Sequence, residues 1–149
     1  MSANPIDTQD ALLQRLATAI GAQHVLTSAA DREFYAMDVY TFRELPLAVV
    51  RPGSTADLQA VVRLAAAAGV ALVPRGGGAS YTDGYLPTTP RSLLIDTSRL
   101  NHIVEINEQD MYVTVEPGVT WHDMWQAVKA KGLRTSFWGP FSGLKATVG

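Results

Sequence analysis

The stretch Pro74-Arg75-Gly76-Gly77-Gly78-Ala79-Ser80-Tyr81-Thr82-Asp83-Gly84 constrains this chain more than any other. It follows directly on Val70-Ala71-Leu72-Val73, an apolar run that reads as a short buried strand. Consecutive glycines make poor strand and poor helix. They suit a backbone that must turn tightly, reach positive φ or approach a ligand closely. Two readings are open for the triplet. It is either a flexible turn between strands or a loop whose successive N–H groups converge on an anion.

The segments before the triplet read as strand and helix in alternation. Thr8 to Ile20 carries Leu13, Leu16, Ala17 and Ile20 at helical spacing, with Asp7 or Thr8 as cap and Gly21 as stop. A short helix is expected from Ala30 to Met37, capped by Ser28. Leu47 to Arg51 reads as a strand, ended by Pro52-Gly53. Ser54-Thr55-Ala56-Asp57 has capping-box form, and the helix behind it runs to Gly69. The strand Ala71 to Val73 then completes a strand–helix–strand unit with a crossover long enough for parallel pairing. The triplet sits at the carboxyl end of that second strand, the edge where open α/β sheets bind ligands.

Beyond the loop, Leu93–Asp96, Ile103–Ile106 and Tyr112–Val115 read as short strands, the last two joined by a turn at Asn107-Glu108-Gln109-Asp110. Pro117-Gly118 ends the third. Thr120 and Asp123 form another capping box, for a helix bearing Trp121, Met124, Trp125 and Val128 on one face and closed by Gly132. A second glycine-rich loop occupies Trp138 to Gly149. The two strand–helix junctions, Pro52-Gly53-Ser54-Thr55 and Pro117-Gly118-Val119-Thr120, echo each other, either as a faint duplication or, in the favoured reading, as recurrent αβ grammar.

Composition narrows the chemistry. With 149 residues, 47% hydrophobic and 17% charged, the chain can bury one sizeable core. It has no cysteine, which excludes disulfides, thiolate zinc sites, Fe–S clusters and a cysteine nucleophile. A net charge of −2 and scattered Lys and Arg give no footprint for nucleic acid. The polar, acidic start is not a secretory signal, and no apolar run is long enough to span a bilayer, so a cytoplasmic protein is expected, with peripheral membrane attachment still compatible. His24, His102 and His122 show no metal-ligand spacing, and no metal site is expected. No nucleophile–base pair or paired carboxylate stands out, and no catalytic residue is assigned.

The glycine loop is not a Walker motif, since no Gly-Lys-Ser/Thr follows, and it lacks the third glycine of the dinucleotide fingerprint. The chain instead resembles the front of the FAD-binding domain of the vanillyl-alcohol oxidase / p-cresol methylhydroxylase superfamily. Within it, the likeness is to the FAD-linked glycolate oxidase and D-lactate dehydrogenase group. Four motifs in order carry it: Pro46-Leu47-Ala48-Val49-Val50-Arg51-Pro52 with Ser54-Thr55; Val73-Pro74-Arg75-Gly76-Gly77-Gly78-Ala79-Ser80; Val115-Glu116-Pro117-Gly118-Val119; and Pro140, Ser142 and Ala146-Thr147-Val148-Gly149.

The resemblance implies an α+β, PCMH-type fold: a helical lead-in over 1–45, a small parallel β-α-β subdomain over 46–92, and the start of a mixed or antiparallel second subdomain over 93–149. It implies FAD as cofactor, lying between the two halves. Its pyrophosphate would rest on the backbone of Gly76, Gly77, Gly78, Ala79 and Ser80, beginning at Arg75. Gly118 would turn beside the adenine end, and Pro140, Ser142, Thr147 and Gly149 would lie near the flavin ring or ribityl chain. The implied reaction is oxidation of a small organic substrate, such as a 2-hydroxy acid, by hydride transfer to flavin N5. A noncatalytic phosphate- or nucleotide-binding module is the alternative.

Two departures from the family pattern matter. Members that attach flavin through this loop carry histidine where this chain has Ala79, so noncovalent FAD is expected. The likeness also stops in mid-motif at Gly149, which suggests a fragment without the substrate domain, inactive alone and prone to self-association through an unpaired sheet edge. Tyr81, Asp83 and Tyr85 read as a solvated loop, and Asp38, Tyr40 and Arg43 as a polar stretch before the sheet.

Overall fold

The computed structural model describes residues 9–140 and 143–149. The proposed cap at Asp7 or Thr8, and Ser142, lie outside them. The chain forms two compact units. The first runs through Arg75 and resumes from Ser80 to Asp96; the second comprises Gly76–Ala79 and Thr97–Gly149.

The first unit contains α1 (Gln9–Ile20), β1 (Val25–Leu26), α2 (Ala29–Tyr35), β2 (Ala48–Val50), α3 (Thr55–Ala67), β3 (Ala71–Arg75) and β4 (Ser92–Asp96). Its sheet has the order β1-β2-β4-β3, with β2, β4 and β3 parallel and β1 antiparallel at the edge. Leu12, Leu16 and Ile20 of α1 and Val61 and Ala65 of α3 pack on Ala48, Val50, Leu93 and Ile95. Val49 and Leu94, pointing to the opposite face, are equally buried. A strand covered on both faces needs an unbroken apolar run, and Leu93-Leu94-Ile95 supplies one.

That requirement corrects the sequence reading in one place. β2 and β3 are parallel, but they do not pair. β4 lies between them, with Leu94 opposite both Val49 and Val73. The sequence grouped Leu93–Asp96 with the strands that follow; the structure seats it centrally in the first sheet. β3 takes the edge because Pro74 has no N–H to give a second neighbour. Val25–Leu26, only two residues long, carried no readable strand pattern.

The second unit contains β5 (Ile103–Asn107), β6 (Tyr112–Val115) and α4 (Trp121–Lys129). β5 and β6 form the expected antiparallel hairpin, in which Asn107 Oδ1 accepts the Asp110 N–H at 2.8 Å. Met124 and Val128 bury the inner face of α4, and a cavity of about 500 Å³ lies between α4 and the hairpin.

Three start signals act as expected. Ser28, Ser54 and Thr120 cap α2, α3 and α4, each accepting the N–H of the residue three on at 3.1 Å. The helix α2 ends at Tyr35, two residues before the expected Met37, because Asp38 draws the chain into a turn by accepting the N–H groups of Tyr40 and Thr41 at 2.8 and 2.7 Å.

Candidate functional site

Three of the motif segments meet inside the second unit. Residues 145–149 run beside the turn at Pro117–Trp121. Trp121 N–H donates to the Ala146 carbonyl at 3.0 Å, Val148 N–H to Val119 at 2.9 Å, and Gly149 N–H to Pro117 at 3.1 Å. The glycine loop docks on this pair. Gly77 N–H donates to Thr147 Oγ1 at 2.9 Å, and Thr147 Oγ1 donates onward to the Gly149 carbonyl at 2.8 Å.

The glycines are required by that docking. A Cβ on Gly77 would fall on the Lys145 carbonyl, and one on Gly76 on Thr147 Oγ1 and the Gly149 carbonyl. Gly78 adopts φ +65°, the left-handed region. Gly118 is buried: its N–H donates to Leu100 at 2.7 Å, and a Cβ would strike the carbonyls of Thr97 and Leu100. Close backbone approach is thus real, and much of it is loop against loop. Pro140 is exposed and accepts the Gly143 N–H at 3.0 Å. Gly139 beside it, at φ +73°, leaves no room for a side chain against the Trp121 ring.

Arg75 and Ser80, which flank the triplet, belong to the first unit. Arg75 is 8% exposed, its guanidinium turned inward. It lies 4.5 Å from the Tyr85 ring centroid, 5.2 Å from Tyr35 and 5.9 Å from Phe34, and donates to the carbonyls of Tyr35 and Met37 at 3.3 and 3.2 Å. The Ser80 hydroxyl meets Thr82 Oγ1 at 2.9 Å, and its carbonyl accepts from the Tyr85 hydroxyl at 2.7 Å. Tyr85 is therefore buried structure, where the sequence suggested a solvated loop, and burial pushes its hydroxyl pKa up. Tyr81 is exposed.

Sequence reasoning also passed over several paired charges. Tyr35 donates to Asp96 Oδ2 at 2.5 Å, and Arg51 Nε lies 3.4 Å from the same oxygen. Burial, then the bond to Asp96, pushes the Tyr35 hydroxyl up to about 12. The Tyr40 N–H, foremost among several main-chain donors, holds the Asp38 carboxyl below its ordinary value. In the second unit, Glu116 Oε2 accepts from the His102 N–H at 2.8 Å and meets the His102 ring at 2.7 Å, the main-chain bond doing most to lower its pKa. The Tyr35–Asp96 and His102–Glu116 partners, 61 and 14 residues apart, leave no local sequence signal.

The loop Gly76–Ser80 has no carboxylate, presents Gly77 on the surface and keeps Gly76, Gly78 and Ala79 half-buried. Main chain of this kind, without side chains or a carboxylate along the glycines, suits a phosphate ester. The family model described as FAD binding domain matches residues 46–149, from the first motif through the last described glycine.

The chain belongs to this FAD-binding family, of PCMH type.

The relatives agree with this family. The chain is 32% identical over 121 residues to glycolate oxidase subunit GlcD of Bacillus subtilis, covering 80% of this chain and 26% of the relative. It is 34% identical over 125 residues to D-2-hydroxyglutarate dehydrogenase of Xanthomonas citri, covering 83% and 26%. Among solved structures, 4-ethylphenol oxidase of Gulosibacter chungangensis matches with TM-score 0.74 at 32% identity, over 83% of this chain and 25% of that one. p-Cresol methylhydroxylase shares the fold at TM-score 0.74 and 22% identity, again over 83% and 25%. The chain spans about a quarter of the length of these proteins. Among the described residues, no helix is long and apolar enough to cross a membrane.

Proposed function

We propose that the chain binds FAD noncovalently, with the pyrophosphate on the Gly76–Ser80 main chain, as part of an oxidoreductase acting on a small 2-hydroxy acid. The observation that carries this reading is the docking of the triplet on residues 145–149 through Gly77 and Thr147. Peptide dipoles offset phosphate charge, and glycine lets the oxygens approach. Ala79 offers only a methyl group, which supports a cofactor without a covalent bond at that position. The 2-hydroxy-acid assignment rests on the names of the glycolate oxidase and D-2-hydroxyglutarate dehydrogenase relatives.

Bound flavin supplies the redox chemistry by accepting a hydride equivalent from the substrate. The residues of this chain bind and orient. Gly76, Gly78, Ala79 and Ser80 offer main chain to the phosphates, Thr147 holds the loop through the Gly77 amide, and Gly118 supports the neighbouring turn. Pro140, Ser142 and Gly149 are assigned to the flavin side. Titration of the purified chain with FAD, followed by quenching of flavin fluorescence, tests the proposal. Saturable quenching, with all flavin released into the supernatant on acid precipitation, is expected. No quenching at high micromolar FAD, or flavin retained in the precipitate, overturns it.

A further inference from the structure

The two ends of the glycine loop are joined by a short chain of contacts that the cofactor reading does not use. Arg75, the last residue before the loop, places its guanidinium 4.5 Å over Tyr85; the Tyr85 hydroxyl donates at 2.7 Å to the carbonyl of Ser80, the first residue after it. The same guanidinium also donates to the Tyr35 and Met37 carbonyls and lies near the rings of Tyr35 and Phe34. Both main-chain bonds leave from one nitrogen, Nη1, while the flat guanidinium lies over three rings, a stacking that a lysine ammonium does not reproduce. Only 8% of the residue's surface is exposed.

We propose that Arg75 is a positioning residue. Through Tyr85 it fixes where the loop departs and returns, and so preorganises the main chain that receives the pyrophosphate, without touching the cofactor. Four residues, Gly76 to Ala79, lie between the two anchors, three of them glycine. A loop of that composition is costly to order on binding, and anchoring both ends beforehand lowers that cost. This role rests on the pyrophosphate reading above.

The test compares FAD with riboflavin, which has the ring but no phosphate, on the full chain. Parent, Arg75→Lys, Tyr85→Phe and the double variant are titrated by flavin fluorescence. Tyr85→Phe keeps the ring under the guanidinium and removes the hydroxyl that ties it to Ser80, so it reports even where Arg75→Lys does not fold. Each single variant is expected to weaken FAD about tenfold and leave riboflavin unchanged. The double variant should lose no more than the worse single, because both act through one chain of contacts. If the parent separates FAD from riboflavin and Tyr85→Phe binds FAD as tightly as the parent, the positioning role is wrong and the loop reading stands. The role is equally overturned if the variants lose FAD and riboflavin in equal proportion. A parent that does not distinguish the two, or binds neither, overturns the loop reading and this role with it.

Discussion

The Thr147 hydroxyl accepts the Gly77 N–H at 2.9 Å and gives its own hydrogen to the Gly149 carbonyl at 2.8 Å. One side chain thereby fastens two glycine-rich segments 70 residues apart. Thr147→Val keeps the shape and removes both bonds. It should cost about 1 kcal/mol of stability and weaken FAD about tenfold through a looser loop. Thr147→Ser should restore both. Denaturant melts and FAD titrations of the three proteins check this.

Gly77 and Gly69 separate two reasons for a glycine. A methyl on Gly77 meets the Lys145 carbonyl, whereas Gly69 has open space but sits at φ +61°. Gly77→Ala should destabilise the chain by about 1–3 kcal/mol, as overpacking does. Gly69→Ala should cost about 1–2 kcal/mol from left-handed backbone alone. FAD affinity, measured alongside denaturant midpoints, should fall in the first variant and hold in the second.

The central place of β4 is open to direct test. Leu94 is fully buried between two parallel neighbours, while Leu72 on the edge strand β3 is half-buried. Leu94→Ala should cost about 2–5 kcal/mol. Leu72→Ala should cost clearly less. Equal losses in urea melts would contradict the strand order.

Tyr35 gives a pH signature. Burial and the bond to Asp96 raise its pKa from 10.0 to about 12. Its neutral form is favoured in the folded chain. Its contribution to stability is thus fully present below pH 10 and lost as pH rises through about 12. An ultraviolet phenolate titration should show a late step that Tyr35→Phe removes. The same variant should also lower stability at neutral pH, since Asp96 loses a donor.

These variants divide along a line that runs through the molecule itself. The caps of Ser28, Ser54 and Thr120 were legible because each partner lies three residues on, within reach of any chain that starts a helix there. The glycine triplet and the order of the motifs were legible too, and they pointed to the FAD-binding family. The inward turn of Arg75 was not. Its cage draws on Phe34, Tyr35 and Tyr85, from segments that only the folded first unit brings together.

By itself, the sequence determined what is local: where helices begin and end, which runs are apolar enough for strands, and where backbone must be bare. Tertiary structure alone decided which strand takes the middle of the sheet, and that Gly76 and Gly77 face the carbonyls of residues 145–149. The reason is physical. Strand order and loop docking are settled by covering apolar faces and fitting backbone against backbone across long separations, and neither leaves a periodic mark in neighbouring residues.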